Sequence, residues 1–217
     1  MGPDLLEWRA DGYARIADLQ EAAHALNRLG QVAGNTPVIF TCRLVAEGGL
    51  QDLPLESRRQ LWHLAIETGN ASLVDVELAT PPGIIHEVVT KAHDRGVPVI
   101  LSYHDFQRTP PVREITERLY RMQHLGADIA KVAVMPESQV DVLRLFQATT
   151  EARASGLKIP VIAISMGPLG AISRLAGWLF GSDLIFAAAG RSSAPGQLPL
   201  DLVRQAVNLL REAGQQG

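Results

Sequence analysis

Residues 126–136 read Gly-Ala-Asp-Ile-Ala-Lys-Val-Ala-Val-Met-Pro, a short apolar stretch that begins after a glycine and ends at a proline. A run of this length, bounded by Gly and Pro, is typical of a buried strand. In the segment that follows, 140–154, apolar residues recur at spacings of three and four, which predicts a helix. A buried strand followed by an amphipathic helix is the repeating unit of parallel α/β folds.

The same unit recurs along the whole chain. Seven segments are predicted as strands: 4–9, 37–43, 73–78, 98–103, 129–134, 160–165 and 184–188. The helix-like segments are 13–29, 55–67, 84–93, 112–124, 140–154, 174–180 and 200–212. Glycines follow six of the helices, as expected at helix C-termini: Gly30, Gly69, Gly96, Gly126, Gly156 and Gly181. No linker interrupts the pattern, so we expect residues 1–217 to form a single domain.

Polar side chains near the predicted strand ends distinguish a barrel from an open sheet. They occur in pairs two residues apart, which places both members on one face of a strand. These pairs are Glu7 with Arg9, Thr41 with Arg43, Asp75 with Glu77, and Ser102 with His104. A doubly wound sheet gathers its polar residues at one switch point, whereas a barrel enzyme collects them from many strands. The pattern therefore favours a (β/α) barrel.

Composition excludes several classes of protein. The chain has 217 residues, a net charge of −3 and 47% hydrophobic residues, which fits a folded protein with no basic surface for nucleic acid. No apolar run reaches the roughly 20 residues of a membrane helix, and the N-terminus does not resemble a signal peptide. We therefore expect a cytoplasmic protein that binds neither nucleic acid nor membrane. With no phosphate loop, dinucleotide fingerprint or zinc motif, we expect neither a cofactor nor a metal.

Lys131 and His104 are the strongest candidates for chemistry. Lys131 is one of only three lysines, against seventeen arginines, and it lies inside an apolar strand. Burial disfavours the charged form of an amine, and the neutral amine is the form that attacks a carbonyl. The alternative is a lysine at the barrel rim that pairs with a carboxylate. His104 follows Ser-Tyr at a strand end, where it could act as general acid or base, or could be structural.

Three further stretches could bind a substrate. Arg43 and Glu47 precede Gly48-Gly49, a pair of glycines that suggests backbone close to a ligand rather than an ordinary loop. Arg174 begins a helix after a glycine-containing loop and suits a carboxylate, although a surface arginine is the alternative. The loop 192–197 after the last predicted strand is polar. Asp75 and Glu77 are interpreted as partners of buried cations, the alternative being that they only maintain the barrel geometry.

Together these residues resemble the type I 3-dehydroquinate dehydratases. The resemblance covers almost the whole chain and depends on several stretches in order. They are Glu-Trp-Arg-Ala-Asp (7–11), Phe-Thr-Cys-Arg (40–43) with Glu-Gly-Gly (47–49), Val-Asp-Val-Glu-Leu (74–78), Ser-Tyr-His-Asp-Phe (102–106), Gly-Ala-Asp-Ile-Ala-Lys-Val-Ala-Val-Met-Pro (126–136), Ile-Ser-Arg-Leu-Ala-Gly (172–177) and Ser-Ala-Pro-Gly-Gln (193–197). The resemblance implies a (β/α)8 barrel and elimination of water from 3-dehydroquinate, in the shikimate pathway, without a cofactor.

The resemblance also implies a role for each matching residue. Lys131 forms an imine with the C3 ketone, His104 removes a C2 proton and protonates the leaving C1 hydroxyl, and Glu47 orients the histidine. Arg174 takes the substrate carboxylate. The remaining predicted binding residues are Glu7, Arg9, Arg43, Ser193 and Gln197.

The most serious departure from the family is at the front of the chain. Its members carry a strand and helix before the Glu-x-Arg strand, so we expect a barrel of TIM type that lacks its first βα unit and has seven strands. Relatives are commonly dimers, which implies a homodimer. Two alternatives to an active dehydratase stay open: a truncated, non-catalytic family member, and another lysine-imine barrel enzyme such as an aldolase.

Overall fold

The computed structural model describes residues 2–190 and 194–215. Its strands are β1 (Leu6–Arg9), β2 (Val38–Thr41), β3 (Leu73–Glu77), β4 (Val99–Asp105), β5 (Ile129–Val134) and β6 (Val161–Ser165). Its helices are α1 (Leu19–Ala33), α2 (Leu55–Thr68), α3 (Pro82–Asp94), α4 (Val112–His124), α5 (Gln139–Ala154), α6 (Ser173–Ala176) and α7 (Leu200–Gln215). Short 3-10 turns occur at Ala10–Gly12, Val45–Glu47, Leu169–Ile172 and Gly177–Phe180.

The six strands pair in chain order, β1-β2-β3-β4-β5-β6. The first pairings are parallel and in register, with Leu6 opposite Val38, Ile39 opposite Leu73, and Val74 opposite Val99. A sheet in which each successive βα unit adds its strand beside the last has no switch point, which excludes the doubly wound alternative. The fold is therefore α/β of the barrel type, as predicted.

The chain divides into two compact units. The first contains the described part of Met1–Tyr103 together with Arg121–Ala130, and the second the described part of His104–Tyr120 with Lys131–Gly217. The division falls within β4 and β5. The second unit begins at His104 in β4 and at Lys131 in β5, so both residues belong to it. Glu7, Arg9 and Arg43 belong to the first.

The core of the first unit is built from buried strands and the apolar faces of its helices. All four residues of β2 are buried, and Phe40 packs edge-on against Trp8 with ring centroids 5.6 Å apart. Trp62 of α2 is fully buried and donates its indole N–H to the backbone oxygen of Asp75 at 3.1 Å. The indole therefore adds an apolar surface without leaving a buried donor unpaired.

The second unit has its own buried core, to which β5, β6 and two helices contribute. Its fully buried side chains include Ile115, Leu119, Leu145 and Ile162. Helix α5 begins with a capping box formed by Ser138 and Asp141, in which Asp141 Oδ2 accepts the Ser138 N–H at 3.0 Å. None of the helices in residues 2–190 and 194–215 is long and apolar enough to cross a membrane.

Residues 184–188, predicted as the seventh strand, do not form one. Only an isolated bridge is present there, between Ala188 and Pro199. The reason lies on the edge of β6 that faces away from β5, where alternate backbone N–H groups donate to side chains. The donor and acceptor pairs are Val161 to Asp183 Oδ2 (2.7 Å), Ala163 to Ser182 Oγ (3.0 Å) and Ser165 to Ser173 Oγ (2.9 Å). These side chains occupy the donors that another strand would use, so the ladder ends at β6.

The first predicted helix also differs in its limits. Helix α1 begins at Leu19 rather than residue 13 because Asp18 caps it, accepting the N–H groups of Gln20 at 2.8 Å and Glu21 at 3.3 Å. Gly30, predicted as the C-terminal glycine, lies inside the helix. A Cβ at Gly30 would approach the Asn70 amide oxygen to 2.2 Å, so close packing accounts for this glycine.

Candidate active site

Arg43 is the centre of a buried network of charges at the strand ends of the first unit. Its guanidinium donates to Asp75 Oδ2 at 2.8 Å, to Glu77 Oε1 at 3.1 Å and to Ser102 Oγ at 2.7 Å. Ser102 in turn donates to Asp75 Oδ1 at 2.5 Å. The structure thus bears out the interpretation of Asp75 and Glu77 as partners of a buried cation. Burial alone would lower the pKa of Arg43, but the two carboxylates hold it above its usual value.

Arg58 of α2 completes this network, although the sequence did not single it out. It forms an ion pair with Glu77, donates to the backbone oxygen of Cys42 at 3.3 Å, and lies over the Trp62 ring at 4.8 Å. Two arginines and two carboxylates therefore balance in charge. Next to them, burial raises the pKa of the Cys42 thiol to about 12, so the cysteine is a protonated packing residue.

Arg9 is held by a second carboxylate that the sequence did not single out, Asp11. Arg9 donates two hydrogen bonds to Asp11, at 2.9 and 2.7 Å, and a third to the backbone oxygen of Gly48 at 2.9 Å. Asp11 is fully buried. Burial alone would raise the pKa of its carboxyl, but Arg9 and two backbone N–H groups outweigh burial and hold the pKa below its usual range.

Glu7 and Glu47 are the other two predicted site residues of the first unit. Glu7 is half-buried in β1 and accepts the Thr41 hydroxyl at 3.0 Å, so one member of each strand-end pair of β1 and β2 is in contact. Glu47 is buried in the turn Val45–Glu47, between Arg43 and the glycine pair. Gly49 is required there, since a Cβ would lie 2.1 Å from the Arg43 backbone oxygen.

Lys131 of β5 is buried in the second unit, with 3% of its surface exposed. Its Nζ lies 4.3 Å from the centre of the Phe186 ring, in a cation–π contact. Phe186 falls in the segment that was predicted as the seventh strand, and the sequence offered no signal for its role. His104 is half-buried at the penultimate position of β4, in the same unit.

Arg174 of α6 is buried, with 2% of its surface exposed, which excludes the surface alternative. It donates to the backbone oxygens of Phe186 at 2.9 Å and Pro195 at 3.2 Å. Its Nε has no hydrogen-bond partner among the described residues, and no carboxylate among them pairs with it. Burial lowers the pKa of Arg174 to about 10, the direction expected for a desolvated cation without an anion.

The loop that follows the last predicted strand packs beside Arg174. Gly196 has a φ of 73° and lies so close to Gly167 that a Cβ would meet its backbone oxygen at 2.3 Å. The Gly167 N–H donates to the Pro195 oxygen at 3.2 Å, which fixes the loop. Gln197 follows directly and is half-buried. Ser193, the other predicted binding residue of this loop, lies outside the described residues.

Phe186 connects two of the predicted site residues of the second unit, Lys131 and Arg174. Its ring contacts the Lys131 amine and its backbone oxygen accepts the Arg174 guanidinium, so both side chains meet one residue. The second unit therefore offers the Lys131 amine, which can attack a carbonyl group, and the Arg174 guanidinium, which can bind an anion. Residues 2–190 and 194–215 contain no cluster of three His, Cys, Asp or Glu side chains suited to hold a metal ion.

Comparison with known proteins relates this arrangement to one family. The sequence model of the type I 3-dehydroquinases matches residues 1–213. The 3-dehydroquinate dehydratase of Geobacillus kaustophilus is 46% identical over 211 residues, which cover 96% of this chain and 81% of the relative. That of Aromatoleum aromaticum is 41% identical over 212 residues, covering 97% of this chain and 81% of the relative.

Solved structures of these enzymes agree. The Geobacillus kaustophilus enzyme superposes with a TM-score of 0.93 at 45% identity, covering 97% of this chain and 81% of that one. The type I enzyme of Clostridium difficile, solved with covalently modified comenic acid, gives 0.94 at 41% identity, with 98% and 83% covered. On the fold, the family match and these identities together, the chain belongs to the type I 3-dehydroquinase family.

Proposed function

We propose that the chain is a hydro-lyase that converts 3-dehydroquinate to 3-dehydroshikimate and water through an imine on Lys131, in the shikimate pathway. One structural observation carries the assignment beyond family membership. Arg174 is a buried cation whose Nε has no partner among the described residues, and it shares Phe186 with the buried Lys131. A substrate with a ketone and a carboxylate complements both groups.

The proposed reaction begins at the Lys131 amine. The amine adds to the C3 carbonyl and water leaves, which gives a protonated imine. This imine withdraws electrons from C2, so His104 can remove a C2 proton, and the electron pair forms the C1–C2 double bond as the C1 hydroxyl leaves with a proton from the same histidine. Hydrolysis of the imine releases 3-dehydroshikimate and restores the amine. No cofactor is required by this scheme.

The remaining residues are proposed to bind or orient the substrate. Arg174 holds the carboxylate, and a fixed carboxylate converts binding energy into orientation of the ring. Gln197 and Ser193 contribute from the loop after it. The residues of the first unit keep the roles that the resemblance implies: Glu7, Arg9 and Arg43 bind substrate, and Glu47 is catalytic. The proposal further includes one barrel domain over residues 1–217, a homodimer and a cytoplasmic location.

Borohydride trapping tests the proposal directly. Incubation with 3-dehydroquinate and borohydride should add one reduced ligand to the protein, and Lys131→Ala should abolish both the adduct and turnover. Lys158→Ala, at an exposed lysine, is the matched control and should retain both. An adduct that survives Lys131→Ala would contradict the mechanism.

His104→Ala separates the two steps. Because the histidine acts after the imine forms, we expect the adduct to persist while turnover is lost. Loss of the adduct as well would show that His104 is needed before proton abstraction. Turnover of an aldol substrate in place of 3-dehydroquinate would favour the aldolase alternative.

A further inference from the structure

Asp11 lies in the turn Ala10–Gly12 directly after β1, and no role in catalysis follows from its position in the sequence. Its carboxylate is fully buried and accepts four hydrogen bonds. Two come from the Arg9 guanidinium, at 2.9 and 2.7 Å. The others come from backbone N–H groups, Arg43 to Oδ1 at 3.2 Å and Leu50 to Oδ2 at 3.0 Å. All its partners are donors, so only an acceptor fits there.

The two backbone donors mark both ends of a single segment. Residues 44–49 lie between Arg43 and Leu50, and Glu47 is in the turn near the middle of that segment. The turn is closed internally by the Glu47 and Gly49 N–H groups, which both donate to the Leu44 oxygen, at 2.9 and 3.0 Å. Residues 44–49 are therefore hydrogen-bonded among themselves and held at both ends by one carboxylate, which leaves the segment few alternative conformations.

Arg9 adds a third connection to the same segment. Its guanidinium bridges the Asp11 carboxylate and the Gly48 backbone oxygen, at 2.7 and 2.9 Å. Gln51 donates to the backbone oxygen of Asp11 at 2.8 Å, which fixes the turn that carries the carboxylate itself. Catalytic groups must be held within a fraction of an ångström, and this connection supplies such a restraint.

We propose that Asp11 is a positioning residue of the enzyme: its carboxylate fixes both ends of residues 43–50 and thereby sets the position of Glu47 and of the Arg9 guanidinium. The proposal rests on the proposed function for the roles of Glu47 and Arg9. Asp11 itself is assigned no contact with substrate.

Asp11→Asn is the direct test, since it keeps the size of the side chain but replaces one acceptor by an NH2 group that faces donors. We expect kcat to fall by about 10-fold to 100-fold, as for small displacements of catalytic groups. KM should change less than kcat, and the imine on Lys131 should still trap at saturating substrate. Asp18→Asn is the matched control, because Asp18 also accepts two backbone N–H groups but caps α1, and Asn caps a helix equally well. It should leave kcat unchanged.

Arg9→Met separates the two parts of the proposal. It removes the guanidinium, and with it a proposed contact with substrate, so KM should rise. It leaves the carboxylate on the Arg43 and Leu50 N–H groups, so kcat should fall less than in Asp11→Asn. Equal losses in the two variants would reduce the role of Asp11 to orientation of Arg9. A folded Asp11→Asn variant with wild-type kcat would overturn the proposal.

A second pair of variants keeps the test decisive if Asp11→Asn does not fold. Leu50→Pro removes the N–H donor together with the leucine side chain, and Leu50→Ala shortens the side chain but keeps the donor; the side chain is 72% exposed. We expect kcat to be lower in Leu50→Pro than in Leu50→Ala, and equal values would contradict the proposal.

Hydrogen exchange distinguishes failure of this inference from failure of the proposed function. Amides of residues 43–50 should exchange faster in Asp11→Asn than in the wild type or Asp18→Asn, whatever the substrate. Unchanged exchange would overturn the positioning role even if the wild type turns over 3-dehydroquinate. A wild type that neither turns over nor traps would overturn the function, while faster exchange would still support the restraint.

Discussion

Arg43 and Arg174 are both buried arginines, one in each unit, and their surroundings are opposite. Arg43 donates hydrogen bonds to two charged acceptors, Asp75 and Glu77, and to the Ser102 hydroxyl. Among the described residues, Arg174 donates to the neutral backbone oxygens of Phe186 and Pro195 and to no carboxylate. The pKa of Arg43 is accordingly raised, because its carboxylates outweigh burial, whereas burial lowers that of Arg174 to about 10.

This difference distinguishes an arginine that stabilises the folded protein from one that is suited to bind a ligand. A buried arginine that already has its counter-charges stabilises the protein around it, and its removal leaves carboxylates unpaired. A buried arginine with only neutral partners carries the cost of desolvation and gains most from an anionic ligand. We therefore expect Arg43 to matter first for stability and Arg174 first for binding, although both were predicted from the sequence as binding residues.

The largest effect is expected from Arg43→Met. It takes the Arg43 guanidinium away from the buried Asp75 and Glu77, so the free energy of unfolding should fall by about 3–5 kcal/mol, the usual cost of breaking a buried ion pair. Chemical denaturation followed by circular dichroism measures the loss. Arg43→Lys keeps the charge but not the planar two-armed geometry and should lose less. A melt unchanged from the wild type would contradict the comparison.

Arg174→Gln should have the next largest effect, and in a different measurement. It removes a cation that no described carboxylate pairs with, so the free energy of unfolding should change far less than in Arg43→Met. The value of kcat/KM should fall by about 10-fold to 100-fold, the range of a hydrogen bond to a charged group. Steady-state kinetics and denaturation of the same two variants test both halves. Destabilisation as large as that of Arg43→Met would mean that Arg174 is structural.

The strands that bury both faces could be predicted from the sequence, because apolar runs bounded by Gly and Pro leave few alternatives. All six observed strands lie within predicted segments, except that β4 continues to Asp105. The seventh was wrong for a tertiary reason: whether 184–188 can join a sheet depends on which groups already occupy the β6 edge. Ser182, Asp183 and Ser173 occupy it, and no local pattern reveals that.

The site shows the same division. The spacing indicated that Asp75 and Glu77 share one face of a strand, and they were interpreted as partners of buried cations; the structure pairs them with Arg43. Asp11 could not be predicted, since its partners at 43 and 50 are more than thirty positions away. Arg58 did leave a signal: it occupies the same helical face as the buried Leu61, a place where an arginine requires a buried partner.

The smallest expected effect is on the pH dependence of the free energy of unfolding. It distinguishes an arginine paired with a carboxylate, such as Arg9 with Asp11, from one with neutral partners, such as Arg174. The pKa of Asp11 lies below its ordinary value in the folded protein, so in acid the unfolded chain binds the proton more readily. The stability that Asp11 contributes is therefore present above about pH 4, its ordinary pKa, and is lost as pH falls through the lowered value. Denaturation of the wild type and Asp11→Asn from pH 7 to pH 3 measures the difference between them, which should shrink in acid.

Arg174→Gln is the control across the same range. With a pKa of about 10, Arg174 stays protonated in both the folded and the unfolded chain below about pH 8, so it contributes no pH dependence there. The wild type and Arg174→Gln should therefore run parallel from pH 7 to pH 3, while Asp11→Asn converges on the wild type. If the curve of Asp11→Asn also runs parallel to the wild type, the charged Asp11 carboxylate does not contribute to stability. If the curve of Arg174→Gln converges on the wild type in acid, Arg174 has an anionic partner.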